Sequence, residues 1–297
     1  MITDFKSLKI LLLAVFFVHC NENLYVANDY VYVGEFTTGL EGPAVDANGN
    51  LYFVNPHHSG TIGKVDAEGN FSIFIDQLPQ GSTANGIRIN SDGDLLLADY
   101  TGHNILKINP QTKEVEVFAH SDFANQPNDL TLWSDDRIYA SDPNWKEGSG
   151  NIWKIENGIF ELMQSEMGTT NGIEVSPDRK TLYVNESVQR KVWAFDIDEK
   201  GMLSNKRELI AFDDFGMDGM RCDTKGNLYI TRHGKGTVVK MTPQGKILKE
   251  IQLQGKKPSN IAFGGPDGKT AYITLQDRGY IERFRVEDPG NAFGKKF

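Results

Sequence analysis

The sequence is short of cysteine and of basic residues, and each shortage excludes a class of protein. Two cysteines in 297 residues cannot form a disulfide framework. Thirty-one Lys and Arg stand against 40 Asp and Glu, a net charge of -9, so we expect no basic groove for a nucleic acid. The serine-hydrolase elbow, the His-Glu-x-x-His zinc motif and the dinucleotide fingerprint are also missing. The remaining composition, 39% hydrophobic and 10% aromatic, is typical of a globular protein with a substantial core.

Long apolar runs are scarce as well, and the clearest one lies near the N-terminus. Residues 10–18 are all apolar, follow two lysines and would rise only about 13 Å as a helix, which is too short to cross a bilayer. The pattern predicts a secretory signal over residues 1–20 and therefore an exported, periplasmic or extracellular protein. Cys20 resembles the acylated cysteine of a bacterial lipoprotein, although His19 is larger than the residue usual before it. Both readings, with and without a lipid anchor at Cys20, stay open.

One unit recurs six times through the rest of the chain. Each copy begins with a polar residue, usually followed by glycine, then an apolar stretch, a Gly-containing turn and a second apolar stretch. Successive copies start 41 to 47 residues apart. The six starts are Glu41, Asn85, Asn128, Asn171, Asp218 and Ser259.

The repeats predict an all-β fold, a six-bladed β-propeller with four-stranded blades around a central channel. The turns at residues 46–50 and 91–94 have hairpin chemistry, and a third and a fourth apolar stretch follow in most copies. Residues after 20 show no convincing long helical stripe. We expect one domain over residues 21–297, a monomer, and Cys222 buried in a strand. The sixth copy lacks a clear fourth strand, so residues 30–36 are predicted to close the ring by pairing with the last blade.

Equivalent positions in a ring of repeats face the axis in the same way, so the six starting residues should form a ring at the channel mouth. All six carry oxygen, the donor that a hard divalent cation prefers, whereas zinc more often recruits His or Cys. Asn and Asp also suit turns before strands, but that preference would not explain Glu41.

The second strand of each hairpin returns to the same end, so the residues after it should line the rim of the opening. These residues are 55–58, 99–100, 142–145, 185–186, 232–233 and 276. Asp142, Trp145 and His233 are the members we expect to contact a polar substrate.

The blade openings at Glu41, Asn171 and Asp218, with the segments 141–143 and 258–265, resemble those of the SMP-30/gluconolactonase family. The similarity covers most of residues 30–290. The resemblance implies a six-bladed propeller with one catalytic divalent cation, commonly calcium and in some members zinc. It implies Glu41, Asn171 and Asp218 as metal ligands and Asn128 as a fourth ligand or a substrate contact. The resemblance does not make the ring member Asn85 a ligand, and we expect Asn85 to contact the substrate. Sugar-lactonase members often carry an arginine where this chain has Gln126, so an aldonolactone substrate is not implied.

The sequence thus predicts a metal-dependent hydrolase of a small molecule, most simply a lactonase. The cation, calcium ahead of zinc or another divalent ion, would polarise the lactone carbonyl, and Asp218 would remove a proton from water. Two alternatives remain: a phosphotriesterase-like hydrolase that uses the same ring, and a non-catalytic exported propeller that binds a ligand. Any contact with a membrane is expected only through a lipid anchor at Cys20.

Overall fold

The computed structural model of the protein describes residues 23–34 and 37–294, and its regular secondary structure there is entirely β-strand. Within these ranges, no helix is long and apolar enough to cross a membrane. The predicted signal sequence and Cys20 lie outside the described residues. The first strand, β1 (Asn28–Tyr32), precedes the blades.

Twenty-three further strands follow in chain order. Blade 1 contains β2 (Glu41–Val45), β3 (Leu51–Val54), β4 (Ile62–Val65) and β5 (Phe71–Ile75). Blade 2 contains β6 (Ala84–Ile89), β7 (Leu95–Asp99), β8 (Asn104–Ile108) and β9 (Val115–His120). Blade 3 contains β10 (Leu130–Ser134), β11 (Arg137–Asn144), β12 (Ser149–Glu156) and β13 (Ile159–Met167).

The second half repeats the arrangement. Blade 4 contains β14 (Thr170–Val175), β15 (Thr181–Glu186), β16 (Lys191–Ile197) and β17 (Leu203–Ala211). Blade 5 contains β18 (Met220–Cys222), β19 (Leu228–Arg232), β20 (Thr237–Met241) and β21 (Ile247–Gln252). Blade 6 contains β22 (Pro258–Gly264), β23 (Thr270–Leu275) and β24 (Tyr280–Arg285), with β1 as its fourth strand. The predicted six-bladed β-propeller is confirmed.

The turn between β2 and β3 shows why the repeats fold into hairpins. The Asp46 carboxylate accepts hydrogen bonds from the backbone N–H groups of Asn48 and Asn50, at 2.9 and 2.8 Å. Gly49 has a φ of +82°, which a residue without a Cβ adopts at little cost. An Asx turn of this kind reverses the chain and brings the second strand back to the end at which the first began.

The hydrophobic core is divided among the seams between blades. Six clusters of buried apolar side chains are present in the described residues, and each joins two neighbouring blades. At the seam between blades 6 and 1, for example, Tyr272 and Ile281 pack with Leu51 and Phe53. Cys222 is buried in the cluster between blades 4 and 5, as expected. Inner strands therefore have neighbours on both faces, which leaves their first residues to face the channel.

Strand β1 closes the ring, as the sequence predicts, but it begins and ends earlier than the predicted segment. It pairs antiparallel with β24, and the Val33 N–H extends the contact by donating to the Gly279 carbonyl at 2.9 Å. Asp29 forms an ion pair with Arg278 at 2.8 Å. The N-terminal strand and the C-terminal strands thus share one sheet.

Removing β1 is expected to destabilise the whole ring, because β24 would become an unpaired edge. A protein that lacks residues 1–33 should melt about 10 °C or more below one that lacks residues 1–20, since each kcal/mol lost lowers the Tm of a chain this size by about 2–4 °C. Thermal unfolding followed by circular dichroism measures the difference. Equal cooperative melts of the two proteins would contradict the closing role of β1.

Candidate functional site

A cavity of about 710 Å³ opens at the end of the propeller where the inner strands begin, and all six blades contribute to its lining. Five of the six predicted ring residues line it, together with two of the three rim residues that we expected to contact a substrate. These seven are Glu41, Asn85, Asn128, Asn171, Asp218, Trp145 and His233. The structure therefore brings the predicted ligands and most of the predicted substrate contacts into one space.

Glycines after the ring residues let neighbouring inner strands approach closely. The Gly86 N–H donates to the Asn128 carbonyl at 2.8 Å, and the Gly172 N–H donates to the Asp218 carbonyl at 3.1 Å. A Cβ on Gly172 would lie 2.5 Å from that Asp218 oxygen, so no other residue fits without displacing the strand. These contacts between blades fix the backbone that carries the ring.

The carboxyl groups of Glu41 and Asp218 lie within hydrogen-bonding reach of each other in the cavity. Burial raises the pKa of Glu41 to about 7, although the Gly42 N–H, 2.6 Å from its Oε2, favours the ionised form. Burial, followed by the nearby Glu41 charge, raises the pKa of Asp218 well above its ordinary value. Two like charges in a poorly solvated site repel each other, and a divalent cation between them would remove the repulsion.

Two amide oxygens complete a candidate cation site. Asn128 and Asn171 are 4% and 3% exposed, and neither Oδ1 atom has a hydrogen-bond partner. A buried carbonyl oxygen without a partner is costly in a stable protein, and coordination to a cation would satisfy it.

The donor set fits a hard cation. Two carboxylates and two amide oxygens are donors that suit calcium, and none of the four is the His or Cys that zinc more often recruits. We assign Glu41, Asn128, Asn171 and Asp218 as the residues that would hold it.

Ser187 orients one of these ligands, a role that no repeat or motif in the sequence indicates. The Asn171 Nδ2 donates to the Ser187 Oγ at 3.0 Å, and this Oγ in turn donates to the Met217 carbonyl at 2.6 Å. Because Nδ2 is committed to Ser187, the Asn171 Oδ1 is held in the opposite direction. The same serine links blade 4 to the loop that carries Asp218.

Replacing Ser187 with alanine is expected to weaken cation binding about tenfold, the lower end of the cost of removing a group that orients a metal ligand. Ser82→Ala is a matched control: both serines are 8% exposed, and the Ser82 Oγ donates to Asp99 at 2.7 Å, away from the ring. Calcium titration calorimetry gives both affinities. Ser187→Thr, which keeps a hydroxyl group, should retain most of the calcium affinity of the unmodified protein. An unchanged affinity in Ser187→Ala would refute the orienting role.

A buried ionic layer lies beneath the ring, built from the inner strands of blades 2 to 5. Asp129 accepts hydrogen bonds from Arg88 at 2.9 Å and from Arg221 at 3.1 Å. Arg88 also contacts Glu174 at 3.3 Å. All four side chains are buried, so they form an ionic layer in the interior below the candidate cation site.

The rim combines polar and aromatic groups. The His233 Nε2 lies 3.2 Å from the Gln276 Oε1, and burial lowers the pKa of His233, which keeps the imidazole neutral at pH 7. Because the amide oxygen only accepts, Nε2 carries the proton and Nδ1 is left as an acceptor. Trp145 and Tyr100 stand on the wall formed by blades 2 and 3.

Asp142 and Ser259 do not face the cavity, contrary to expectation. The fully buried Asp142 carboxylate accepts hydrogen bonds from the Asn125 and Gln126 N–H groups and from Trp153 Nε1 at 2.7 Å. It holds the loop before Asn128 and is placed to contact no substrate. The Ser259 Oγ donates to the Leu40 carbonyl at 2.7 Å, which fixes the backbone next to Glu41 from the neighbouring blade.

A family model and named relatives point to the same protein family. A sequence model described as the SMP-30/Gluconolactonase/LRE-like region matches residues 39–277. The chain is 27% identical over 273 residues to a gluconolactonase from Zymomonas mobilis, with 79% of this chain and 75% of the relative covered. It is 27% identical over 251 residues to regucalcin from Xenopus laevis, with 67% and 84% covered.

Among solved structures, a calcium-binding regucalcin from Agrobacterium tumefaciens superposes with a TM-score of 0.75 at 20% identity, over 87% of this chain and 95% of that one. The family match begins just before the ring residue Glu41 and ends just after the rim residue Gln276, so it contains all of the cavity lining except Thr37 and Thr38. The protein belongs to the SMP-30/gluconolactonase/LRE-like family.

Proposed function

We propose that the protein is a divalent-cation-dependent lactone hydrolase, with calcium as the preferred ion. The observation that carries the proposal is the pairing of the Glu41 and Asp218 carboxyl groups with two partnerless amide oxygens, on Asn128 and Asn171, in one cavity. The gluconolactonase relative and the calcium-binding structural neighbour support the reaction type and the ion.

Different residues of the cavity take part in different steps of the hydrolysis. The four ligands would hold a divalent cation, which would supply Lewis acidity toward the carbonyl oxygen of the lactone. Asp218 accepts a proton from the attacking water as its oxygen adds to the carbonyl carbon. The ring C–O bond then breaks, and the departing oxygen takes up the proton that Asp218 accepted, which yields a hydroxy acid and restores the carboxylate. Asn85 and the Nδ1 of His233 contact the substrate from the walls.

A hydrolysis panel tests this function. Aliphatic, aromatic and sugar lactones and one phosphotriester are incubated with the protein in calcium, in zinc and in chelator. Lactone hydrolysis should be fastest with calcium and should stop with chelator. Turnover of the phosphotriester alone would replace the proposal with the phosphotriesterase alternative, and calcium binding without any turnover would favour a ligand-binding propeller.

The N-terminal pattern of two lysines, an apolar run and a polar boundary supports an exported enzyme. We propose on this basis that the reaction takes place outside the cytoplasm. Fractionation of cells that express the full chain tests this placement, and labelling with a radioactive fatty acid tests acylation of Cys20.

A further inference from the structure

The loop before β18 holds a strained aromatic residue at the mouth of the cavity. Phe215 lines the cavity, is 49% exposed and has a φ of +42°, in the left-handed region. A bulky aromatic residue rarely adopts this backbone conformation and rarely leaves half of its side chain in water. Strain of this kind persists only where the surroundings impose it, and it clusters at functional sites.

The buried Arg232 holds the backbone of Phe215 in this left-handed conformation. Its guanidinium group is almost fully buried and donates to the Asp214 carbonyl at 2.5 Å and to the Asp214 carboxylate at 2.7 Å. It also reaches the Phe215 carbonyl at 3.4 Å and stacks 3.8 Å above the ring of Phe212. At the other end of the loop, Ser187 holds the Met217 carbonyl. The loop is therefore fixed on both sides of Phe215.

Val188 adds a second exposed apolar side chain to the same lining. It is 63% exposed and follows Ser187 in the loop after β15, so blades 4 and 5 together contribute Val188, Phe215 and the buried Met217. Trp145, 39% exposed, lines the cavity from blade 3. Single exposed apolar residues need no explanation. Several of them in one cavity indicate a surface whose burial by a ligand is favourable.

We infer that Phe215 and Val188 form an apolar subsite that selects lactones with an apolar substituent on the ring over polyhydroxylated lactones. The inference rests on the proposed lactone hydrolysis and names its substrate class. Hydroxyl groups placed against the Phe215 and Val188 side chains would lose water without gaining hydrogen bonds from them, whereas an alkyl chain would gain from burial. Arg232 acts as a positioning residue, because it holds the loop and does not contact the substrate.

The test compares δ-valerolactone, which has no substituent, with a δ-lactone that carries a butyl chain. In the unmodified protein, kcat/KM should be at least about tenfold higher for the butyl lactone, since each buried methylene contributes up to about fourfold. Phe215→Asn removes the apolar side chain while Asn tolerates a positive φ, so the loop keeps its shape. This variant should reduce the ratio to about threefold or less, mainly by raising KM for the butyl lactone. Phe215→Leu should preserve most of the preference.

Phe123→Asn is the matched control, because Phe123 is 86% exposed and lies outside the cavity. It should leave the ratio unchanged. The corresponding δ-lactams, which resist hydrolysis, allow the same comparison by calorimetry, and the dissociation constants should show the same preference and the same loss in Phe215→Asn.

The outcomes separate the apolar subsite from the proposed lactone hydrolysis on which it rests. Equal kcat/KM for the two lactones, faster turnover of glucono-δ-lactone, or a ratio unaffected by Phe215→Asn overturns the apolar subsite and leaves lactone hydrolysis standing. No turnover of any lactone overturns the proposed function and the inference with it.

Discussion

Asp218→Asn is expected to reduce turnover at saturating calcium by at least about a hundredfold, the usual contribution of a positioned base. The substitution keeps the size of the side chain and one carbonyl oxygen, but it removes the charge and the ability to accept a proton from water. Calcium binding should weaken without being lost, because Glu41, Asn128 and Asn171 remain. Steady-state kinetics over a calcium titration separate the two effects.

Asp213→Asn serves as the control for this prediction, because Asp213 is exposed on the same loop and lies outside the cavity lining. Its turnover and calcium affinity should match those of the unmodified protein. If Asp218→Asn turns over normally once saturated with calcium, Asp218 is not the base, and the neutral His233 becomes the group to test next.

Glu41→Gln is expected to weaken calcium binding about a hundredfold, since a carboxylate that faces a hard cation contributes more than a neutral amide. Calorimetry on the unmodified protein and the variant measures this loss. Asn85→Ala, which removes a side chain of the same cavity outside the assigned ligand set, should have a much smaller effect. Similar affinities for Glu41→Gln and the unmodified protein would exclude Glu41 as a ligand.

Glu41→Gln should also change how stability depends on pH when calcium is chelated. The raised pKa means that the folded protein retains a proton on Glu41 that the unfolded chain releases, so the contribution of Glu41 to stability is greatest below the unfolded pKa of about 4.3 and is lost as pH rises to about 7. Glutamine cannot titrate, so the variant should show a shallower decline. Chemical denaturation at several pH values tests this sign, and an equal decline in both proteins would contradict the burial of Glu41.

The repeats predict the parts of the site that every blade shares, and they fail where one blade departs from the others. Glu41, Asn171 and Asp218 reach the cavity because the strand register is common to all blades. Ser259 occupies the equivalent position, but the Leu40 carbonyl and Thr274 engage its short side chain and turn it away. Asp142 follows the rim pattern, yet it is buried by its own loop.

Other features depend on contacts that no local pattern indicates. The ion pair between Arg221 and Asp129 joins residues 92 positions apart on different blades. The loop that carries Phe215 lies in the longest of the intervals between repeats, and that extra length was its only signal in the sequence. The hydrogen bonds from Arg232 to this loop and the left-handed φ of Phe215 follow from three-dimensional packing.

The layer of Arg88, Asp129, Arg221 and Glu174 below the ring has a kinetic consequence. These paired side chains are buried below the ring, so we expect the cavity, among the described residues, to open at the end where the inner strands begin, and substrate to enter by the route through which product leaves. The hydroxy acid released by ring opening would occupy the cavity until it diffuses out through the same opening. Added product should therefore behave as a competitive inhibitor, which raises the apparent KM for the lactone while the limiting rate stays constant.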